Sequence, residues 1–433
     1  MKKEHVLLIV ATALVANGLL AFITLKGLVP LPSTQPQAPS CPSPSLVYVY
    51  ENEQQKNAMD SITSAFKSIL QSYYGINIIN TPVCPVQASS LPQRLRVYPA
   101  LLYKGDLPAL AQFTSGSVGE YRVISPSISA VLAYYQGVSP SFGATAEAVI
   151  VESSAPFAKI NISEQKLRDL LTQVALANIS KISTAKPEEL GVPLQTLPAV
   201  IFRSDFNLSE GVPYLVKLRD NIYGLSNNTQ SSLMEYLNIG VYETRSPPPS
   251  LLENGVAYGE NAPITLYILE DYHCPFCADL ITNMGSYMQS LVKENRIRLV
   301  FVDLIVHPEV TDMHAFTRCV YNYTRDPSAY FNITRDLYAS GVSTTLSDAR
   351  KIALRYLPDT IVEKALACAN STVAEVQLNA QQLSNMGYTG TPTLFFWNKD
   401  SGKGLVVTGC LQLKPCITQE QFASILSWLE SQG

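Results

Sequence analysis

Apolar runs occur in pairs along the chain, and the second run of each pair starts at a proline. The first runs, LVYVYE, AVIVE and TLYILE, end at Glu51, Glu152 and Glu270. The second runs, PALLY, PAVIF and PTLFF, start at Pro99, Pro198 and Pro392. Their branched and aromatic residues are typical of buried β-strands, and a strand accepts proline at its first residue. The pattern predicts three copies of one unit.

The spacing inside each copy predicts where the copies differ. Glutamate and proline lie 48 residues apart in the first copy and 46 in the second, but 122 apart in the third. The longer spacing in the third copy predicts an insertion at about 307–386. The helix-compatible stretches 347–355, 360–369 and 373–385 predict that this insertion is helical. Each copy then closes with an amphipathic segment, at 127–135, 231–237 and 419–429.

A Cys-Pro-Phe-Cys motif follows the first apolar run of the third copy. Cys274 would stand at the start of a helix, where backbone N–H groups favour the thiolate. We expect Cys274 to be exposed and Cys277, one turn further on, to lie inside and resolve a mixed disulfide. The motif therefore predicts thiol-disulfide chemistry, which needs no cofactor.

Two other interpretations of the motif are a zinc half-site and a permanent structural disulfide. Zinc needs about four ligands. The chain has no second C-x-x-C, and His307 and His314 stand alone. No metal site is therefore expected.

The first two copies have no such thiols. The second copy has Ala155-Pro156-Phe157-Ala158 near the corresponding place, and the first has Glu53-Gln54-Gln55-Lys56. Without a sulfur to exchange, both copies are predicted to be redox-inactive.

The N-terminus predicts attachment to a membrane. Lys2 and Lys3 precede an apolar run from 6 to 25, which is long enough to span a bilayer. A cleaved signal peptide is the alternative, but no good cleavage motif follows the run. We expect an uncleaved single-pass anchor with the remaining chain on the extracytoplasmic side.

Cysteines and glycosylation sequons agree with that location. Eight cysteines leave six outside the motif, and their order suggests Cys41–Cys84, Cys319–Cys368 and Cys410–Cys416. The alternative is that some are free, buried thiols. Asn-x-Ser/Thr sequons, typical of glycoproteins, start at Asn161, Asn178, Asn207, Asn227, Asn322, Asn332 and Asn370.

Composition limits the partners. The net charge is −4 and the Lys and Arg residues are scattered, so no nucleic acid partner is expected. The 433 residues, 47% hydrophobic, are enough for several cores. The expected partners are exported cysteine-containing proteins, a membrane redox partner and the membrane itself.

The C-terminal part, from about residue 256 to the end, resembles the DsbA-like branch of the thioredoxin superfamily. The resemblance rests on GENAPITLYILEDYHCPFCADL and GYTGTPTLFFW. It implies a thioredoxin fold with a helical insertion, a nucleophilic Cys274, a resolving Cys277 and a cis peptide bond before Pro392. Thr391 would then present backbone groups to substrate, and we expect Phe276 and His273 to contact it as well.

One position departs from the family pattern. Many members have a buried acid six residues before the first cysteine, where this chain has Ile268. Glu270, Asp271 or water could accept the proton of Cys277 instead. His273 is either a solvated loop residue or a group that tunes the thiolate.

Together these features predict an α/β protein with three tandem thioredoxin-like domains, the last with a helical insertion, preceded by a transmembrane helix. The expected order is an anchor or signal at 1–28, a Pro/Ser linker at 29–45, redox-inactive domains at 46–139 and 144–243, a linker at 244–257 and a catalytic domain at 258–433. The predicted function is an extracytoplasmic oxidoreductase that forms or isomerises disulfides. The alternative is a non-enzymatic surface adhesion or assembly module with a structural disulfide.

Overall fold

The computed structural model describes residues 41–237, 240–260 and 262–432. Contacts within the chain define two compact units. The first unit consists of residues 41–150, 162–185 and 200–229, and the second of 151–161, 186–199 and 230–432. Parts of the predicted second domain thus belong to the second unit, so the three-domain division stays a prediction.

The first sheet of the first unit has the strand order β2-β1-β4-β6-β5. β1 is parallel to β2 and antiparallel to β4. Its residues are buried because Leu46 and Tyr48 face one apolar cluster and Val47 and Val49 face another. The elements are β1 (Ser45–Tyr50), α1 (Glu53–Asn57), α2 (Met59–Tyr74), β2 (Val83–Gln87), β3 (Val97–Tyr98), β4 (Ala100–Lys104), β5 (Thr114–Val118), β6 (Tyr121–Ile124), α3 (Pro126–Tyr135) and β7 (Ser141–Phe142).

A second five-stranded sheet of the first unit has the order β12-β13-β11-β8-β9. It has the same arrangement as the first sheet, with the first strand of the copy beside the strand that follows the proline. The elements of this part of the chain are β8 (Thr145–Val151), α4 (Glu164–Ala175), β9 (Asn178–Ala185), α5 (Pro187–Leu190), β10 (Thr196–Leu197), β11 (Ala199–Arg203), β12 (Leu215–Arg219), β13 (Ile222–Leu225), α6 (Asn227–Tyr236) and β14 (Val241–Thr244).

The second unit is built on a seven-stranded sheet, β10-β14-β19-β18-β16-β17-β15. β16 lies inside this sheet, parallel to β17 and antiparallel to β18. Its elements from residue 256 onwards are β15 (Val256–Tyr258), β16 (Ile264–Glu270), α7 (Pro275–Lys293), β17 (Ile297–Asp303), α8 (Thr311–Thr324), α9 (Pro327–Ala339), α10 (Leu346–Ala353), α11 (Asp359–Asn385), β18 (Thr393–Asn398), β19 (Lys403–Thr408) and α12 (Gln419–Glu430).

The predicted insertion is helical and consists mainly of α8 to α11. The helix-compatible stretches 360–369 and 373–385 both lie in the single helix α11. Cys368-Ala369-Asn370-Ser371-Thr372 contains no proline or glycine that would end a helix. A bridge between Cys319 of α8 and Cys368 of α11 links the two helices.

Two other disulfides are present, Cys41–Cys84 and Cys410–Cys416. All three pairs are those expected from the order of the cysteines. Peptide bonds are cis at each of the three repeat prolines, Pro99, Pro198 and Pro392.

The sequon asparagines are accessible in the structure. Asn332 is half-buried, and the other six are exposed: Asn161, Asn178, Asn207, Asn227, Asn322 and Asn370. The predicted anchor lies outside the described residues. In the part of the chain that is described, no helix is long and apolar enough to cross a membrane.

Removal of the disulfide between α8 and α11 should measurably lower the free energy of unfolding. Its cysteines are 49 residues apart. The double variant Cys319→Ala/Cys368→Ala should lower the free energy of unfolding of the second unit by about 4 kcal/mol, because the unfolded chain regains the entropy of that loop. Unfolding in denaturant is followed by the fluorescence of Trp397 and Trp428, the two tryptophans of the chain, which both lie in this unit.

A matched control is the double variant Cys410→Ala/Cys416→Ala, whose cysteines are only 6 residues apart. Its loss should be smaller, roughly 2 kcal/mol, because the loop is short. Equal losses in the two variants would contradict the loop-entropy explanation.

Candidate active site

The cysteine pair lies where a buried strand turns into a helix. β16 ends at Glu270, and α7 begins at Pro275 with Cys274 as its N-cap. Proline fits the first helical turn because the N–H that it lacks would have no partner inside the helix. The Cys277 backbone N–H donates to Sγ of Cys274 at 3.4 Å. The helix N-terminus therefore points its donors at the first sulfur.

The loop before β18 faces this sulfur. Sγ of Cys274 lies 3.2 Å from the Thr391 carbonyl oxygen, to which the protonated thiol can donate. The Thr391–Pro392 bond is cis, as the resemblance implied. The Pro392 carbonyl in turn accepts from the Gly409 N–H at 2.8 Å. This bond holds the loop to the end of β19.

Neither sulfur is open to solvent. Cys274 is 3% exposed and Cys277 is 1% exposed, and both are free thiols. The expectation that Cys274 is exposed was therefore wrong, because the Thr391 loop and the apolar core both approach it. Phe276, between the cysteines, is 39% exposed.

The two thiols differ in acidity. The Cys277 thiol donates to Sγ of Cys274 and thereby lowers the pKa of Cys274 to about 6. The Thr391 side chain and the backbone N–H groups of Cys277 and Phe276 act in the same direction, against the effect of burial. Burial raises the pKa of Cys277 well above its ordinary value. At neutral pH the first sulfur is thus mainly a thiolate, the form that can act as a nucleophile, and the second keeps its proton.

Glu270, the last residue of β16, is a buried acid behind the pair. It is fully buried; its Oε2 accepts from the Tyr338 hydroxyl at 2.5 Å, while Oε1 has no hydrogen-bond partner. Burial raises the pKa of Glu270 to about 7, although the Tyr338 hydroxyl opposes this. The Glu270 carboxylate contributes to the raised pKa of Cys277. Among the proton acceptors left open by the sequence, the structure favours Glu270.

A second buried acid, Asp303 at the end of β17, binds the helical insertion to the sheet. Burial acts to raise its pKa, but the charge of Arg318 lowers it to about 2. Asp303 contacts Nε of Arg318 and lies 2.8 Å from Nδ1 of His314. Nε2 of His314 accepts from the Tyr272 N–H at 3.2 Å, so the ring is a neutral imidazole that donates through Nδ1. This network could not be predicted from the sequence, because no local motif joins residues from three elements.

Asp271 organises the loop in front of the cysteines. Its carboxylate accepts from the backbone N–H groups of His273, Val306 and His307 at 2.9 Å each. It also lies 2.9 Å from Nδ1 of His307. Since these groups use both oxygens, Asp271 is a positioning residue for the loop.

His273 is held between residues of the insertion. Its Nε2 lies 3.0 Å from the Thr344 carbonyl oxygen and its Nδ1 lies 3.4 Å from a Glu309 carboxylate oxygen. Its side chain is 17% exposed. His273 is therefore not a solvated loop residue, and its ring faces two acceptors.

The structure thus brings together Cys274, Cys277, Thr391 and Pro392 at one place. Phe276 and His273 flank the pair in the chain, and their predicted contact with substrate stays a prediction. Among the described residues, no group of three or more Cys, His, Asp or Glu side chains is arranged to hold a metal ion.

Comparison with protein families gives one match. A family model described as thioredoxin matches residues 252–401, which is less than half of the chain. This range contains the cysteine motif and Pro392. The predicted resemblance of the C-terminal part to the thioredoxin superfamily is therefore confirmed for these residues. A comparison with curated proteins gave no match.

Several solved structures are similar to part of the chain. DsbA from Chlamydia trachomatis is 16% identical, with a TM-score of 0.35, over 43% of this chain and 95% of that one. BcfH from Salmonella enterica Typhimurium is 21% identical, with a TM-score of 0.34, over 42% and 76%. Oxidised BdbD from Bacillus subtilis is 17% identical, with a TM-score of 0.32, over 42% and 94%.

The hydrogen bond from Cys277 predicts how the acidity of Cys274 changes in variants. Cys277→Ala removes the donor, so the pKa of Cys274 should rise above about 6. Cys277→Ser keeps a hydroxyl donor and should raise it less. The ultraviolet absorbance of the thiolate, followed against pH, measures this, because the other six cysteines are in disulfides. If both variants keep the wild-type pKa, the Cys277 thiol does not set the acidity.

The raised pKa of Glu270 predicts that the stability of the fold depends on pH. Its pKa is about 7 in the folded protein against 4.5 as the ordinary value. Between these values the folded chain keeps a proton that the unfolded chain has lost. Stability should therefore fall as pH rises, by at most about 1.4 kcal/mol per pH unit from this one group. Glu270→Gln cannot titrate, so the stability of wild type relative to this variant should fall from pH 4.5 to 7.

The measurement is denaturant unfolding of both proteins at several pH values, followed by tryptophan fluorescence. A difference in stability that stays constant with pH would show that Glu270 does not titrate in this window.

Proposed function

We propose that this protein is a thiol-disulfide oxidoreductase that forms or isomerises disulfides in exported proteins through its Cys-Pro-Phe-Cys site. The single observation that carries the proposal is the opposite shift of two neighbouring thiols. Cys274 has a lowered pKa at a helix N-terminus beside Thr391, while the pKa of Cys277 is raised. A permanent structural bridge needs no such difference, and both thiols are free here.

Oxidation of a client starts from the Cys274–Cys277 disulfide. A client thiolate attacks Sγ of Cys274, the bond between the two enzyme sulfurs breaks, and Cys277 leaves as a thiolate that takes up a proton. A second client thiolate then attacks the client sulfur of the mixed disulfide, and Cys274 leaves as a thiolate. The client loses two electrons and the enzyme pair gains them. A low pKa makes Cys274 a good leaving group in this second step.

Isomerisation starts instead from the reduced pair. The Cys274 thiolate attacks a wrongly paired client disulfide, one client sulfur leaves, and another client thiolate later displaces Cys274. Cys277 can release a trapped client by attacking the mixed disulfide, for which it must lose its proton. The geometry supports both reactions.

Glu270 is suited to exchange the proton of Cys277. Its pKa of about 7 allows it to hold or release a proton near neutral pH, and its Oε1 has no hydrogen-bond partner. Ile268 stands where many family members have their acid. We therefore assign this role to Glu270, which lies two residues closer to Cys274 in the sequence than Ile268 does.

We also propose that the protein acts outside the cytoplasm, anchored by its N-terminal apolar run. Three disulfides support an oxidising compartment, and accessible sequon asparagines support glycosylation. Clients would be exported cysteine-containing proteins. After each oxidation the reduced pair needs an electron acceptor, which we propose is a redox partner in the membrane.

The test of the proposed function is disulfide formation in a reduced client protein, with the oxidised enzyme present. Cys274→Ser should abolish formation, because it removes the sulfur that the client attacks. A second assay starts from a client that carries a disulfide: Cys274 of Cys277→Ser attacks it, one client sulfur leaves as a thiol, and the mixed disulfide should accumulate because no second enzyme thiol can displace it. In the otherwise wild-type reduced pair, Glu270→Gln should prolong the lifetime of the same mixed disulfide. Mass spectrometry of acid-quenched samples measures the adduct.

A matched control is Cys41→Ala/Cys84→Ala, which removes a disulfide of the first unit and should leave client oxidation intact. Undiminished oxidation by Cys274→Ser would refute the proposed function and favour a non-enzymatic surface module with a structural disulfide.

A further inference from the structure

A cleft with a volume of about 610 Å³ opens in the second unit. It takes its walls from separate parts of this unit: the segment between β8 and α4, the start of β14, the loop before Pro392, the end of β19, the disulfide loop after it and the start of α12. The lining residues that matter below are Phe157, Lys159, Thr389, Gly390, Thr408 and Leu411. The thioredoxin model covers only some of these, because Phe157 and Lys159 lie outside residues 252–401.

The cleft is continuous with the redox site. Thr389 and Gly390 line it, and the next residue, Thr391, places its carbonyl oxygen 3.2 Å from Sγ of Cys274. Thr408 lines the cleft and its chain neighbour Gly409 binds the Pro392 carbonyl. A polypeptide whose cysteine reacts with Cys274 can therefore continue into the cleft within a few residues, at about 3.3 Å per extended residue.

The wall that carries Phe157 is firmly held. Ala155 and Ala158 are each 1% exposed and pack into the same apolar core as the two active-site cysteines. The Ser153 hydroxyl donates to the Glu243 carboxylate at 2.8 Å. The indole N–H of Trp428 lies 3.3 Å from the Ser154 hydroxyl oxygen. This segment, Ala-Pro-Phe-Ala in place of Cys-Pro-Phe-Cys, has lost its thiols but is a built part of the second unit.

Phe157 itself has a conformation that its side chain disfavours. Its φ is +67°, in the left-handed region that bulky residues rarely adopt. Phe157 is 38% exposed, although Ala155 and Ala158 beside it are buried. A strained residue that presents an aromatic ring to a cleft is typical of a binding site.

Lys159 gives the lining of the cleft a positive charge. It is exposed, and it is the single charged residue among the described residues that line the cleft. No acidic side chain shares the lining with it. A ligand side chain with a negative charge is therefore favoured here over a positive one.

We propose that this cleft is a client-binding subsite, and that it takes an extended client segment with an apolar side chain against Phe157 and an acidic side chain near Lys159. The inference rests on the proposed function, because the occupant is the polypeptide whose cysteine reacts with Cys274. It goes further by assigning a sequence preference to a segment outside the redox domain.

The experiment uses the full chain with its cysteine pair reduced, and short peptides whose one cysteine carries thionitrobenzoate as a mixed disulfide. The Cys274 thiolate attacks the peptide sulfur and thionitrobenzoate leaves, which absorbance detects. Cys277 then displaces the peptide as a free thiol, so the pair is oxidised and the mixed disulfide is reduced. The peptides differ only near the cysteine: Phe with Glu, Phe with Lys, or Ser with Glu.

Wild type should release thionitrobenzoate from the Phe/Glu peptide with a higher second-order rate constant than from the Phe/Lys peptide, by about two- to five-fold at low salt. Lys159→Glu should reverse this ratio. Phe157→Gly suits a positive φ and removes only the ring, so the fold is kept. It should reduce the preference for Phe/Glu over Ser/Glu, which we expect to be about three- to ten-fold in wild type, to near one.

Matched controls are Lys364→Glu and Leu378→Ser, exposed residues of α11 that do not line the cleft. Both should keep the wild-type ratios. If Lys159→Glu and Phe157→Gly also keep them while Cys274→Ser is inactive, the subsite is refuted and the oxidoreductase stands. If wild type releases no thionitrobenzoate from any peptide, the proposed function itself fails.

Discussion

The site depends on one interaction, the hydrogen bond of the Cys277 thiol to Sγ of Cys274 at the N-terminus of α7. This bond is the largest cause of the lowered pKa of Cys274. It requires that strand β16 deliver the chain to the helix with Cys274 at the cap and Cys277 one turn inside. The loop of Pro392 adds a separate contact to the same sulfur, through Thr391. The position of β16 between β17 and β18 in the sheet places both the start of α7 and the Pro392 loop.

Two buried acids near the cysteine pair differ in their protonation, because only one of them is paired with a charged group. Two acids at the ends of adjacent parallel strands behave oppositely, since Asp303 is paired with Arg318 while Glu270 keeps one oxygen without a partner. The paired acid stays charged and links the helical insertion to the sheet. The unpaired acid has a pKa of about 7, so it is about half protonated near neutral pH and can exchange a proton. The same fold thus provides one carboxyl group that is paired and charged and one that titrates near neutral pH.

The repeated pattern of strands and prolines could be predicted from the sequence because β-strand composition and proline placement are local signals. The strand that ends at Glu270, the helical insertion and the three disulfide pairs follow such signals. The burial of Cys274 and the Asp303 network could not be predicted, because they arise when residues distant in sequence meet. The same holds for Ala155 and Ala158, which pack into the core of the second unit although the second repeat was expected to form its own domain.

We propose that the fold stabilises the thiolate of Cys274 and so makes the Cys274–Cys277 disulfide oxidising. A reduction potential of this couple, measured by equilibration with glutathione buffers, tests it most directly. A stabilised reduced form predicts a value less negative than about −200 mV. A value near or below about −270 mV, which is typical of a reductant, would contradict it.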